Sequence, residues 1–206
     1  MSITTDAQPS PEASAQQTDA RDRSDMERLA AGQDAALNDL MERHATPVFH
    51  FLCRMVGNED DANDLAQETF VRVFRARASF RAGEKFSTWL FTIAANLARN
   101  HFGWRSRHPN VSLEAETGEA EQTLGSTLPA NDPAPNEQAL TAERAAAVRA
   151  AVGKLPEDLR EAIVLCEWEE RTVAEAAAIL ETTPKAVESR LYRARQILRE
   201  KLKSWL

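Results

Sequence analysis

Glycine and tyrosine are scarce in this 206-residue chain, which holds seven glycines and a single tyrosine. Hairpin sheets draw on turn glycines and on aromatic and β-branched residues, so that scarcity argues against an all-β fold. No run approaches the roughly 18 apolar residues needed to cross a bilayer, so no membrane insertion is expected. The first residues, MSITTDAQPSPEASAQQTDARD, lack the basic and apolar regions of a signal peptide. The two cysteines, Cys53 and Cys166, stand far apart in apolar helical patterns. They read as buried free thiols, and nothing calls for an oxidising compartment. The expected location is cytoplasmic. Catalytic signals are missing too: there is no glycine-rich phosphate loop and no nucleophile elbow. Of the four histidines, His44 and His50 lie near Cys53, but their spacing is not that of a zinc site. The chain is expected not to be an enzyme and to need no metal or cofactor.

What is abundant is Ala, Leu, Arg and Glu, the residues of helices, and an all-α fold is expected. The net charge is −7, from 25 bases against 32 acids, yet its distribution matters more than its sum. Between Arg72 and Arg107 eight bases face one acid, Glu84, and from Lys185 to Lys203 seven bases face two acids. Glu59, Asp60, Asp61, Asp64 and Glu68 form an acidic block, and Glu114 to Glu143 holds seven acids and no base. Two basic surfaces on an acidic chain imply two separate contacts with polyanion.

Four stretches follow from composition and period. Residues 1–24, rich in Ser, Thr, Gln, Pro and Asp, read as a disordered tail. Residues 25–107 read as a helical domain. Its first long helix, about Asp34 to Val56, contains Pro47, which is expected to bend it. Gly57 ends that helix, and Asn58 caps the next, whose first turn is acidic. Another helix is expected from Ser87 to about Trp104. Residues 108–136 carry four prolines and many acids and read as a flexible linker. Residues 137–206 read as a second helical domain.

That second domain contains a helix-turn-helix pattern, TVAEAAAILETTPKAVESRLYRAR from Thr172 to Arg195. An Ala-rich helix, Val173 to Leu180, is followed by Glu181-Thr182. Thr183 then sits as N-cap and Pro184 takes the first helical position, where its missing N–H costs nothing. At the helical period Val187, Leu191, Ala194, Leu198 and Leu202 form one stripe. Lys185, Ser189, Tyr192, Arg193 and Gln196 fall opposite. A packed back and a basic, hydrogen-bonding front suit the major groove, although a solvated amphipathic helix shares that pattern.

In the first domain Asp61, Asp64 and Glu68 repeat along one helix face with Gln67 beside them. Such a stripe fits a solvated surface, a divalent cation, or docking onto a basic partner. On the helix from Ser87, the residues Phe86, Trp89, Leu90, Ile93, Leu97 and Trp104 make the expected core face. Thr88, Thr92, Asn96 and Arg99 cluster elsewhere, next to a loop running Phe80-Arg81-Ala82-Gly83-Glu84-Lys85. Aromatics interleaved with Arg and Asn suit single-stranded DNA, where rings stack on bases and an amide reads a base edge. Core packing is the simpler reading for the aromatics; Asn96 and Arg99 are expected to be exposed and functional.

The combination of GNEDDANDLAQETFVRVFRARASFRAGEKFSTWLFTIAANLARNHF with LPEDLREAIVLCEWEERTVAEAAAILETTPKAVESRLYRARQILREKL resembles bacterial sigma factors of the extracytoplasmic-function group of the sigma-70 family. The resemblance spans both helical domains. It implies a transcription initiation factor that binds core RNA polymerase and directs it to promoter DNA. Residues 25–107 would then be region 2-like and residues 137–206 region 4-like. It implies that Asp61, Asp64, Leu65, Gln67 and Glu68 dock on the polymerase. It also implies that Phe80, Arg81, Lys85, Phe86, Thr92, Asn96, Arg99 and Asn100 melt and read the −10 element, Asn96 being the preferred base reader. Lys185, Glu188, Ser189, Arg190, Tyr192, Arg193 and Gln196 would read the −35 element, with Lys185 and Arg190 nearer phosphates. Glu188 departs from the family, in which many relatives carry Lys or Arg there; its carboxylate accepts from cytosine N4 or pairs with Arg195 or Tyr192. An anti-sigma factor is a further implied partner, wrapping or wedging between the domains. The rival reading is a stand-alone helix-turn-helix regulator with an N-terminal sensor domain, which predicts duplex binding without polymerase, as a dimer on a palindrome.

Overall fold

The computed structural model describes residues 11–81, 83–107, 135–203 and 205. Among them are eight α-helices and no strand, as the composition leads one to expect: α1 (Pro11–Ala30), α2 (Ala36–Val56), α3 (Glu59–Arg75), α4 (Phe86–Arg107), α5 (Pro135–Gly153), α6 (Glu157–Glu167), α7 (Val173–Ile179) and α8 (Pro184–Lys201). A 3-10 turn, Arg77–Ser79, follows α3.

The local signals act where the sequence puts them. Gly57 closes α2 at φ 75°, a left-handed conformation that favours glycine, and its N–H donates to the Cys53 carbonyl. One residue later Asn58 Oδ1 accepts from the Asp61 N–H at 2.8 Å, opening α3. Pro47 sits within α2 without ending it. In the C-terminal half Thr172 and Glu175 form a reciprocal capping box on α7, which matters because seven residues are too few to be helical unaided. Thr183 Oγ1 accepts from the Ala186 N–H at 3.2 Å to start α8.

The expected tail is corrected by α1. From Pro11 onward the chain is helical, and Asp22, Asp25, Met26 and Leu29 are buried. Only two of those are apolar, which is why the segment looked like a tail. The helix is held instead by polar pairs from α2: Arg43 Nε donates to Asp22 Oδ1 at 2.9 Å, and Arg43 Nη2 to Asp25. His44 Nε2 lies 2.8 Å from Asp22 Oδ2. Residues 1–10 lie outside the described residues, as do residues 108–134, on which the expected linker falls. Helix α5 begins at Pro135, two residues ahead of the expected Glu137.

Two groups of core side chains result. Leu40, Val48, Phe51, Leu52 and Met55 of α2 meet Phe70 and Val73 of α3 and Leu90 and Phe91 of α4. Ile163, Val164 and Leu165 of α6 meet Ile179 of α7 and Val187, Leu191 and Ala194 of α8. The two groups join into one continuous core, with α6 against α2 and α7 against α4. Arg160 of α6 crosses this seam: Nη1 donates to the Met55 carbonyl at 2.6 Å, and Nη2 to the carbonyls of Gly153 at 2.6 Å and Leu155 at 3.0 Å. A tether between otherwise separate domains was the expectation; the helices pack directly.

Candidate nucleic-acid interface

On α3, Asp64 and Gln67 are exposed, and Leu65 and Glu68 half-buried. Asp61 turns inward: its Oδ2 accepts from Arg105 Nη1 at 3.2 Å and lies 3.3 Å from His101 Nε2, both on α4. Glu68 Oε1 accepts from Arg72 Nε at 2.8 Å. Among the described residues no three His, Cys, Asp or Glu side chains are grouped to hold a metal ion.

The loop between α3 and α4 is anchored by aromatics. Phe86 is buried, and the half-buried Phe80 packs between Phe86 and Trp89, with ring centroids 6.1 and 5.4 Å away. Phe86 therefore fixes the loop instead of presenting a ring to solvent. Arg81, Lys85 and Asn100 are exposed; Thr92 is half-buried, its hydroxyl donating to the Thr88 carbonyl at 2.9 Å. Trp89 is half-buried and packs against the core, as expected. Together with Ile93 and Asn96 of α4, and with Arg72, Arg75 and Ser79, it borders an open cavity of about 390 Å³. Trp104 of the expected core face lies outside, 45% exposed, whereas Phe91 is fully buried. Helix α7 packs against α4, and the buried face of α4 is wider than the expected stripe, taking in Phe91, Ala94, Ala95 and Ala98. Arg72, Arg75, Ser79 and Trp89 were not among the expected site residues, and the structure places them beside Asn96. The signal for them was present as two arginines at i and i+3 ending one helix and a tryptophan seven residues before Asn96 on the next.

Asn96 and Arg99 are half-buried, not exposed. Arg99 Nη1 donates to Asn96 Oδ1 and Arg99 Nε to Glu161 Oε1 of α6, both at 2.6 Å. Lys85 Nζ donates to Glu175 Oε1 of α7 at 2.9 Å and lies 3.6 Å from Asp19 Oδ2 of α1. Arg54 Nη1 donates to Glu169 Oε1 at 3.3 Å, and Arg171 Nη1 to Ser87 Oγ at 3.2 Å. Burial raises the pKa of Glu161 against the lowering effect of Arg99, and raises that of Glu169 against Arg54. Glu175 differs: burial pushes its carboxyl up, but hydrogen bonds from Lys85 and Thr172 outweigh that and hold it at about 2.

Helix α8 has the two faces its sequence predicts. Val187, Leu191 and Ala194 are buried, and Lys185, Glu188, Ser189, Tyr192, Arg193 and Gln196 exposed, Tyr192 by 66%. Gln196 Nε2 donates to the Tyr192 hydroxyl at 3.1 Å. Arg190 is half-buried; its Nε and Arg193 Nη2 lie 3.7 and 3.8 Å from Asp158 Oδ2. Arg195 is taken by Glu167 of α6, so the pairing with Glu188 considered from sequence is not formed. Glu188 instead borders an exposed hollow together with Val173, Tyr192 and Arg199.

Comparison with known proteins follows the same division. Residues 40–108 match Sigma-70 region 2, and residues 145–198 match Sigma-70, region 4. The chain is 32% identical to the RNA polymerase sigma-H factor of Pseudomonas aeruginosa, covering 92% of this chain and 97% of that one. It is 35% identical to the ECF RNA polymerase sigma-E factor of Haemophilus influenzae, covering 88% and 95%. Among solved structures it is similar to CnrH in complex with the cytosolic domain of CnrY, with 27% identity, a TM-score of 0.65, and 89% and 98% of the two chains covered. It is also similar to RpoE in complex with the anti-sigma factor NepR from Bartonella quintana, with 26% identity, a TM-score of 0.56, and 81% and 96% covered.

Proposed function

This chain belongs to the extracytoplasmic-function group of the sigma-70 family, and on that premise we propose how its residues divide the work of promoter-specific initiation. The chain is a transcription initiation factor that directs core RNA polymerase to promoters, with promoter DNA and an anti-sigma factor as its other partners. It works where polymerase works, in the cytoplasm, and supplies binding, not catalysis. The stand-alone regulator reading leaves the acidic face of α3 and the cavity beside Asn96 without a role.

Residues 25–107 act as the region 2 unit. Asp64, Gln67, Leu65 and Glu68 dock on the polymerase through the free side of α3, where carboxylates meet guanidinium groups in paired hydrogen bonds. Asp61 contributes by fixing α3 against α4. In the −10 surface Trp89 offers a ring for stacking, Asn96 an amide for a base edge, and Arg72, Arg75, Arg81, Lys85 and Arg99 meet phosphates. Thr92 and Asn100 extend that surface, while Phe80 and Phe86 hold the loop in shape. Residues 137–206 act as the region 4 unit. Ser189, Tyr192, Arg193 and Gln196 face base edges of the −35 duplex, and Lys185 and Arg190 face phosphates. Glu188 selects for cytosine N4 at its position and repels phosphate elsewhere.

The observation that carries the reading is the separation of two surfaces on one chain. One is an open hollow bordered by Arg72 and Arg75 of α3 and by Trp89 and Asn96 of α4; the other is an exposed polar front on α8. An opened strand fits the first and a duplex groove the second. Melting has no energy source of its own, so it is driven by differential binding of the open strand once polymerase is engaged.

Reconstitution with core polymerase and a randomised promoter library tests this. The complex is expected to enrich templates carrying two elements at fixed spacing and to start RNA at one position downstream. Enrichment of a palindromic duplex by the chain alone, with no effect on polymerase, would overturn the reading.

A further inference from the structure

Helix α6 packs against α8, and its carboxylates meet three arginines of α8 in two different manners. Arg195 is held tightly: Nη2 and Nε both donate to Glu167 Oε1, the second at 3.2 Å. Those two donors are engaged within the chain, and the pair fixes α8 against α6. Arg190 and Arg193 are treated otherwise. One oxygen, Asp158 Oδ2, lies 3.7 Å from Arg190 Nε and 3.8 Å from Arg193 Nη2. These separations are too long for hydrogen bonds but well inside the reach of charge attraction. Asp158 therefore biases where two guanidinium groups sit without taking any of their N–H donors.

The placement of the three groups gives that bias a direction. Arg190 and Arg193 stand at i and i+3 on α8, the first half-buried and the second 57% exposed. Asp158 belongs to the first turn of α6 and is itself 46% exposed. One turn along α6, the buried Glu161 also faces Arg190, so the inner arginine feels two carboxylates and the outer one only Asp158. An arginine free in solvent loses much rotamer entropy when it is fixed on a base edge. A guanidinium already steered loses less. The same carboxylate repels phosphate, and that penalty falls on every sequence alike. The benefit of alignment arises only where a matching base edge meets the aligned group.

We propose that Asp158 is a positioning residue for −35 reading. It aims Arg193 at base edges and Arg190 at the flanking phosphate, and it lowers sequence-independent affinity while raising discrimination between sequences. Glu167, which engages the donors of Arg195 outright, has no such part. A first-turn carboxylate also suits the N-terminus of α6, and Glu157 beside it does the same. That structural contribution supports specific and non-specific binding equally, so it does not alter their ratio.

The inference rests on the −35 assignment of Arg190 and Arg193, and its test reads the two ideas apart. The parent chain, Asp158→Asn, Asp158→Glu and Arg193→Ala are each assembled with core polymerase. Each complex is put through the randomised promoter selection at one fixed salt concentration. Two quantities are taken: the fraction of the starting library retained, and the enrichment of the upstream element. Asp158→Asn is expected to retain at least as much of the library as the parent. Its enrichment should fall by about fivefold or more, the lower end of what one bidentate base contact discriminates. Asp158→Glu keeps the charge and is expected to restore enrichment.

Unchanged enrichment in Asp158→Asn overturns the proposal. A fall in retention and enrichment together marks a merely structural role and overturns it too, as does a glutamate variant that behaves like the asparagine one. Arg193→Ala separates this from the underlying assignment. If it lowers enrichment while Asp158→Asn does not, the −35 assignment stands and the positioning role alone falls. If Arg193→Ala has no effect, or the parent enriches no upstream element, the assignment falls and the proposal with it. Thermal unfolding checks that each variant is folded; should Asp158→Asn not be, Asp158→Ser is read by the same two quantities.

Discussion

His44 Nε2 lies 2.8 Å from Asp22 Oδ2, and the other oxygen of that carboxylate accepts from Arg43 Nε at 2.9 Å. Asp22 is 1% exposed, so its loss strands the buried His44 ring nitrogen and takes one of two carboxylate partners from the half-buried Arg43. Asp22→Ala is expected to lower the unfolding free energy by about 3 kcal/mol, the scale for removing one member of a buried pair. Asp22→Asn should cost less because an amide oxygen still accepts one bond. Urea denaturation of both variants measures the difference, and a change below ~1 kcal/mol for the alanine variant would refute the role given to α1.

Docking on polymerase is expected to depend on Asp64 and Glu68 on the outer face of α3, of which Glu68 pairs within the helix with Arg72. Asp64→Lys/Glu68→Lys should abolish association with core polymerase in a pull-down. The effect on stability should stay near ~0.5 kcal/mol per site, as for exposed positions. Asp61→Ala is expected to differ in kind: it should lower stability by releasing Arg105 and His101, and weaken docking only in proportion.

Glu188 stands exposed on the front of α8. Glu188→Arg is expected to raise duplex affinity with little regard to sequence. It should also make the slope of log affinity against log salt steeper by about 0.9, the increment for one added phosphate contact. Binding titrations at several salt concentrations read both quantities. A slope that stays the same would place Glu188 away from the duplex.

Acid should act on the seam in two opposed ways. Burial raises the pKa of Glu161, which faces Arg99, Glu157 and Arg190, and also that of Glu169, which faces Arg54 and Arg171. The packed form therefore takes up protons at these groups, and packing strengthens as pH falls from neutral toward the ordinary carboxylate value of 4.5. Glu175 runs the other way: its pKa of about 2 lies below 4.5, so its pair with Lys85 is fully present above 4.5 and is lost as pH falls from there toward 2. Hydrogen exchange of α6 and α7 is expected to slow between neutral pH and 4.5, after correction for the intrinsic rate. Protection that falls steadily over that range would refute the assignment of Glu161 and Glu169.

Thr172 caps a helix of seven residues. Thr172→Ala is expected to cost about 1 kcal/mol and to speed amide exchange throughout α7, because so short an element has no interior to sustain it. The −35 contacts of α8 should weaken with it, since α7 supports the buried side of that helix through Ile179 and Val187.

Which parts were legible follows from how far apart the cooperating residues lie. Gly57, Asn58, Thr183 and Pro184 act within a turn of themselves, so their spacing alone placed the helix ends. The stripe Val187, Leu191 and Ala194 was equally plain, because a buried face repeats at the helical period whatever covers it. Helix α1 escaped because its burial rests on Asp22 and Asp25, whose partner Arg43 lies 21 and 18 residues away, and a search for apolar periodicity passes over aspartates. Asp61 looked like its neighbours Asp64 and Glu68 until Arg105, 44 residues on, drew it inward. Arg99 and Lys85 were read as free to meet DNA, but Glu161 and Glu175, 62 and 90 residues distant, hold them. No local pattern announces that such a surface is already occupied.

Arg160 sets one half of the molecule against the other. One planar guanidinium satisfies carbonyls at the end of α2 and at the turn between α5 and α6. The group is rigid, so a rotation that lengthens any one of these bonds misaligns the others. The two halves cannot slide through a continuum of angles while it holds. Two of these bonds hold the guanidinium to its own half, so the third presents a fixed donor to the Met55 carbonyl and sets α6 against the end of α2.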